Sequence, residues 1–460
     1  MLRFIAFLIL FCSQFFSGSA QFFLTHINIV DVEKGQISKD QTVAITGNRI
    51  SAISSNVPTH DQGRVYDCSG KYLIPGLWDM HIHDGGDQDT RFEYLPLFIA
   101  NGITGVRDMW GSPEMLALKN DIDEGRFTGP RMVVGSPIIE GGVPFFTRSM
   151  KAPTSEAGRR LVDSFSNAGY DFIKIYSTVK EPVYLAIADE CKKRGIALEG
   201  HLPVTVGLEE ALDAGQRSFE HDFGLNRLLL GKEREELDWA RHYLDTAKSV
   251  KSGEYMIHGE PAHMSPSECH ISYSILQKMF RSRAAIVPTL TLFQGRSASG
   301  EFMASHTMGL QYLTNEFVNF WKNTPSAFPP EYVQNIEVSA KFFFDKGVME
   351  LAGTDVNNPF CVPGFGLQQE LMNLHHAGLS NLQVLQTATI NPAKFLYREN
   401  DLGTISLGKL ADLVVLDDNP LTEIAHCQLI NAVVLNGKYI SKEDIHKILA
   451  DQKSRQHPSR

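Results

Sequence analysis

The chain has 460 residues, 43% apolar and 21% charged, with a net charge of −10 at neutral pH. That is an ordinary globular composition, long enough for one large catalytic domain and a smaller one. With 53 acidic against 43 basic residues and no basic cluster, nucleic acid is disfavoured as a partner and a small-molecule substrate is expected.

Residues 1–20, MLRFIAFLILFCSQFFSGSA, carry one early cation, Arg3, then an apolar core, then small residues before Gln21. This pattern reads as an export signal cleaved after Ala20, so a periplasmic or secreted location is expected. The apolar core is too short and too interrupted for a comfortable membrane span, and no stable span is expected after cleavage. An uncleaved anchor is the alternative. Cys12 follows Phe11, too large for the small residue expected before a lipidated cysteine. Cys68, Cys191, Cys269, Cys361 and Cys427 are scattered and odd in number, with no CxxC. They suggest neither a disulfide framework nor a zinc–thiolate site, although one pair could still bridge after export. A homo-oligomer is compatible with these features.

From Gln21 onward, short strand-like runs are separated by turn residues: FFLTHINIVDV, QTVAITGNRISAIS and GRVYDCSGKYLIPG. The far C-terminal stretch is alike, with GTISLGKLADLVVLDD and NAVVLNGKYI. The economical reading joins residues 21–74 and 403–445 into one β-sandwich domain. Between them, over residues 75–402, apolar runs alternate with helical stretches. Eight strand candidates follow in order: GLWDMHIH, GITGVRDM, RMVVGSPII, DFIKIYS, IALEGHL, RSFEHDF, AAIVPTLTLF and VMELAGTD. The fold class is therefore α/β, and eight strand–helix units favour a (β/α)8 TIM-like barrel over an open sheet. A charged helical insertion is expected at about 224–283, where it could cap the barrel mouth.

Barrel enzymes place their chemistry at the C-terminal ends of strands. In the first strand Asp79, His81 and His83 alternate, so all three share one face. The two imidazoles can reach one ion, with Asp79 orienting one of them; the ordinary alternative is a pair of strand histidines. Lys174 interrupts the apolar run FIKIY, where an ammonium is costly unless paired or chemically altered. It reads either as a lysine reaching the rim or as an amine kept neutral for reaction with carbon dioxide. His201, His221 and Asp355 end the fifth, sixth and eighth strands. Each alone has a structural explanation; together they form a nitrogen and oxygen donor set. That set suits two divalent ions, with zinc first and manganese, iron or cobalt as alternatives. Asp355 would bind one ion and take the proton of an attacking hydroxide.

This order of residues resembles the amidohydrolase superfamily in its binuclear, carboxylated-lysine subtype. It is most similar to imidazolonepropionase-related and prolidase-like members. The resemblance rests on IPGLWDMHIH, GITGVRDM, FIKIY, GHL, FEH, AGTD, ATINPAKFL and LGTISLGKLADLVVLDDNPL. It implies that His81, His83 and Asp355 hold the buried metal, that His201 and His221 hold the exposed one, and that carboxylated Lys174 bridges them. It implies Tyr176 as a group that polarises the substrate carbonyl or binds the substrate's tail. One departure concerns the run IIEGGVPFF, where Val143 stands in place of a substrate-contacting histidine. That puts dipeptidase activity in doubt and points to an apolar wall of Val143, Phe145 and Phe146.

The expected function is hydrolysis of a C–N bond, in an amide, cyclic amide or dipeptide-like substrate, by a metal-held hydroxide. Ester, lactone or carbamate hydrolysis would use the same ligands. A mononuclear deaminase would leave Lys174 without a role and lacks an HxxE after His201. A non-catalytic binding protein with a decayed site is the rival of another class.

Overall fold

The computed structural model describes residues 21–56, 63–83, 94–142, 145–146, 149–246, 258–259 and 262–457. The expected export signal, residues 1–20, lies outside them. The terminal strands are β1 (Gln21–Asp31), β2 (Gln36–Thr46), β3 (Arg49–Ser54), β4 (Arg64–Asp67) and β5 (Tyr72–Pro75). The middle of the chain supplies β6 (Leu77–Ile82), β7 (Ile103–Asp108), β8 (Arg131–Val134), β9 (Ile139–Glu140) and β10 (Met150–Lys151). It continues with β11 (Phe172–Ile175), β12 (Ala197–Gly200), β13 (Gln216–Glu220), β14 (Ala285–Val287) and β15 (Met349–Glu350). The chain returns through β16 (Leu413–Leu416), β17 (Ile430–Leu435) and β18 (Lys438–Ile440).

Strands from both ends of the chain form one mixed sheet of eight, in the order β18-β17-β16-β5-β1-β2-β3, with β4 also on β1. Hydrogen bonds thus link the strands of the expected sandwich into one sheet, and its β18 end packs back on β1 and β4 through Tyr439, Phe22 and Tyr66. The cause is β1, which is long enough to pair β4 through Phe22–Thr25 and β5 through Asn28–Ile29 while β2 takes its other edge. The register shifts between Leu24 and Ile27, where His26 has φ 55°. This bulge changes the side-chain parity, so Leu24, Ile27 and Ile29 all enter one apolar cluster. Alternation does the rest: Leu73, Leu413 and Val415 face that cluster, whereas Ile74 and Val414 face the main core.

Gly76 alone separates β5 from β6, and its N–H donates to the Asp412 carbonyl at 2.8 Å. A Cβ at this position would sit 2.0 Å from Thr104 Oγ1, so the close crossing requires glycine. β6, β7 and β8 pair in parallel, and Gly135 bridges to Phe172 to join β8 to β11. β11 through β15 then continue in parallel. The last gap is closed by Met80 N to Ala352 O (2.9 Å), Asp355 N to His81 O (2.8 Å) and a parallel bridge between Ile82 and Val356. The eight strands form a barrel-like ring with helices outside it.

Several outer helices stop where the sequence says they should. Ser155–Ala168, Glu181–Arg194 and Leu208–Ala214 end on Gly169, Gly195 and Gly215, at φ 91°, 67° and 95°. Within residues 224–283 the described helices are Leu225–Leu229, Glu233–Thr246 and Tyr273–Ser282, with a 3-10 turn at Pro266–Glu268. Glu233–Thr246 lies beside the segments that follow β11 and β12: Glu233 accepts from Leu208 N, and Lys180 meets Asp245 at 2.6 Å. The run AAIVPTLTLF is only partly strand. Pro288 ends the ladder, Thr289 takes φ 50°, and Leu290–Gly295 is helical. The five described cysteines are buried and free, so no bridge joins them. No described helix is long and apolar enough to cross a membrane.

Candidate metal centre

The ring's C-terminal strand ends converge on one cluster of donors. β6 carries His81, with His83 just beyond it; β11 carries Lys174; His201 and His221 follow β12 and β13; Asp355 lies past β15. His81 Nε2 is 3.2 Å from His83 Nε2 and 3.3 Å from Asp355 Oδ1. His83 Nε2 is 2.8 Å from that same oxygen, and His221 Nε2 is 3.8 Å from Asp355 Oδ2. Asp355 Oδ1 is buried yet accepts no properly directed hydrogen bond. His81, His221 and Asp355 each place a ligand atom within 4.8 Å of the others'. The His201 ring stands 4.8 Å from that of His221.

Two backbone positions aim these side chains. His221 has φ 68° and Asp355 φ 61°, left-handed conformations that cost non-glycine residues about 1–2 kcal/mol each. Gly353 lets the loop before Asp355 pack closely on β6, since a Cβ there would lie 2.8 Å from His81 Cβ.

Each of three imidazoles has its Nδ1 tied to a side-chain oxygen. His81 Nδ1 lies 2.7 Å from Glu220 Oε2, His201 Nδ1 2.8 Å from Ser177 Oγ, and His221 Nδ1 2.7 Å from Thr289 Oγ1. Glu220 can only accept, so His81 donates from Nδ1 and keeps a lone pair on Nε2, as a metal ligand needs. The expectation that Asp79 orients an imidazole is corrected here. Asp79 Oδ2 accepts from the Thr354 hydroxyl at 2.7 Å and Oδ1 from Thr354 N at 3.1 Å, so it braces the loop that carries Asp355. The His81 ring turns across the barrel instead, toward β13.

Glu220 belongs to a buried polar network inside the ring. Arg107, fully buried on β7, donates to Met80 O (2.7 Å), Glu199 Oε2 (2.7 Å), Ser218 Oγ (3.1 Å) and Glu220 Oε1 (2.9 Å). Burial alone would raise the Glu220 carboxyl, but Arg107 and His81 hold it well below the usual carboxylate range. Burial lowers the His83, His201 and His221 imidazoles, which favours the neutral, ligating form. Asp355 is also held low, against its burial, by the imidazoles of His83, His81 and His221.

Lys174 is fully buried, and its Nζ has no hydrogen-bond partner. Burial pulls it down to about 8, although Glu220 and Asp355 favour the charged form. Its stem crosses Gly200, where a Cβ would meet Lys174 Cδ at 3.0 Å and Ile175 O at 2.3 Å. The amine is thus close to the carboxylates of Glu220 and Asp355 but pairs with neither.

Around this cluster stands an arc of aromatic rings. Trp110 meets His83 edge-on at 5.9 Å and Phe146 at 4.9 Å; Phe146 meets Tyr176 at 5.4 Å; Tyr176 lies over His201 at 4.1 Å. Val143 lies outside the described residues, whereas Phe145 and Phe146 are half-buried beside the site. Glu220, Arg107, Ser177, Thr289 and Trp110 were not legible as site residues. The available signal was the charge inside two apolar runs, GITGVRDM and RSFEHDF.

Residues 344–440 match the model of the amidohydrolase family. An adenine deaminase of Serratia proteamaculans is 25% identical over 86% of this chain, which spans 53% of that relative's length. A human N-acetylglucosamine-6-phosphate deacetylase is 23% identical over 77% of this chain and 81% of its own. A crystal structure of a Xaa-Pro dipeptidase superposes with a TM-score of 0.65 at 19% identity, covering 92% of this chain and all of the other. These findings show similarity to amidohydrolase-family proteins, by sequence at residues 344–440 and by fold over most of the chain. The chain spans about half the length of the adenine deaminase it matches.

Proposed function

We propose that the protein is an exported metal-dependent hydrolase of carbon–nitrogen bonds, its ions held at the mouth of a closed (β/α)8 barrel. The carrying observation is Lys174, an amine buried without a partner beside Asp355 and a cluster of histidines. A bare ammonium there would be costly. A carbamate on Nζ would satisfy the position and supply two oxygen ligands. The residues present fit a pair of divalent ions. His81, His83 and Asp355 would hold one, His201 and His221 the other, and carboxylated Lys174 would bridge them. When bound, such ions act as Lewis acids on a carbonyl and lower the pKa of coordinated water.

The chain's own groups supply the rest. Asp355 Oδ accepts the nucleophile's proton and passes it to the leaving nitrogen. Glu220 keeps His81 in one tautomer throughout. Tyr176, packed on His201, is placed to orient the substrate's carbonyl or tail. The same donors would serve an ester, lactone or carbamate. The names of the deaminase and deacetylase relatives favour a C–N bond.

Protein produced with added zinc or manganese and bicarbonate is expected to hold about two ions per chain, and carbonate-depleted protein fewer. Less than about one ion per chain, with no gain from bicarbonate, overturns the paired-ion reading. Export is tested separately. N-terminal sequencing of protein recovered outside the cytoplasm should begin at Gln21; a chain retained in the cytoplasm and starting at Met1 contradicts it.

A further inference from the structure

We propose that Trp110, Phe146 and Tyr176 form a recognition wall for a flat, uncharged aromatic ring carried by the substrate next to the scissile bond. The inference rests on the hydrolase reading for the position of that bond. It rests on the ring geometry for the wall.

The three rings come from three separate strand ends. Trp110 lies just past β7, Phe146 between β9 and β10, and Tyr176 directly after β11. They span the gap between two donor histidines, from His83 through Trp110, Phe146 and Tyr176 to His201, with centroid separations of 5.9, 4.9, 5.4 and 4.1 Å. A substrate atom held by the donors therefore has aromatic surface beside it. Trp110 and Phe146 are only half-buried, so part of each side chain is accessible. Successive rings are inclined at 47° and 64°, which leaves edges and faces for a further ring to meet in the tilted geometries aromatic pairs prefer.

The wall is also fixed in place. Glu140 is fully buried on β9, and its Oε2 accepts from Phe146 N at 3.2 Å and from Ser149 Oγ at 2.6 Å. A buried carboxylate is a costly anchor for a surface loop. Here it holds the backbone of the one residue that contacts both other rings. A cationic substrate group could also lie on such faces. Two divalent ions beside the wall would repel it, whereas they leave a neutral ring unaffected.

The test uses size-matched pairs with the metal-loaded full chain. N-benzoylalanine is compared with N-cyclohexanecarbonylalanine, and N-acetylphenylalanine with N-acetylcyclohexylalanine. Calorimetric titration with benzoate and cyclohexanecarboxylate measures binding without turnover. The wild type should prefer the aromatic member of at least one pair through KM. Phe146→Ala and Trp110→Leu should each weaken aromatic binding about tenfold and aliphatic binding by less, so that the aromatic preference shrinks. Equal handling of both members, in wild type and variants, overturns the wall and leaves the hydrolase reading intact. Aromatic-selective binding that is lost in Phe146→Ala supports the wall even where none of these amides is cleaved, the hydrolase reading then standing or falling on the metal measurement. Absence of aromatic-selective binding together with absence of hydrolysis overturns the wall.

Discussion

Lys174→Ala is expected to lower kcat/KM by more than about a hundredfold, with the fold retained and bound metal reduced. The reasoning is specific to this amine. Its Nζ makes no hydrogen bond in a fully buried setting, so its removal breaks no pairing that the fold depends on. What would be lost is the bridging oxygen pair supplied by the proposed carbamate. The vacated space should accept a small carboxylate, so formate, acetate or propionate should restore part of the activity. Intact mass measurement under mild conditions should show one carbon dioxide on the wild type and none on the variant. Wild-type turnover by Lys174→Ala, or a loss that no short acid relieves while metal stays bound, would remove the carbamate from the site.

The second large effect concerns stability. Arg107→Met is expected to destabilise the protein by about 3–5 kcal/mol, the usual cost of leaving a buried charge without its partner. Two carboxylates, Glu199 and Glu220, depend on this one guanidinium, at 2.7 and 2.9 Å. Arg107→Lys should not restore stability, because a lysine cannot reproduce the fork that reaches Met80 O, Glu199 and Glu220 together. Adding Glu199→Gln to Arg107→Met should recover part of the loss, since it neutralises one stranded charge. The effect should reach the donors as well. Without Arg107 the Glu220 carboxyl loses its strongest reason to stay ionised, and His81 loses a firm acceptor. Metal affinity should fall about 10–100-fold as a result. A denaturation midpoint within error of the wild type would show that the network is not needed for stability.

These two residues also show what the sequence could reveal. Lys174 was visible because it stands alone inside FIKIY, and the histidines and Asp355 because each ends an apolar run. Such positions announce themselves through a local contrast. Arg107 and Glu220 lie in equally apolar runs, yet their meaning depends on each other across 113 positions of chain. No local pattern records that distance. Glu220 was further masked by its neighbour His221, whose left-handed backbone turns the next side chain toward the centre. Asp79 was misassigned for a related reason. Strand alternation shows which face a residue shares but not which element lies opposite, and the Thr354 loop lies opposite Asp79. At the seventh strand the proline in AAIVPTLTLF was the legible stop, and reading the whole run as strand overlooked it. The alternation of strands and helices gave the ring. The hydrogen-bonded link between the terminal strands was obscured because β1 serves three partners at once.

The joint at Gly76 bears on the order in which the molecule can be built. β5 leads through that one residue into β6, the strand that carries His81, yet β5's outer neighbour is β16, with Ile74 opposite Val414. During synthesis the N-terminal strands emerge first and wait, one edge open, until nearly the whole chain has been made. Such long-range pairing is slow and leaves a sticky edge exposed in the meantime. The strand that orients the first donors is therefore among the earliest to be made and among the last to be clamped.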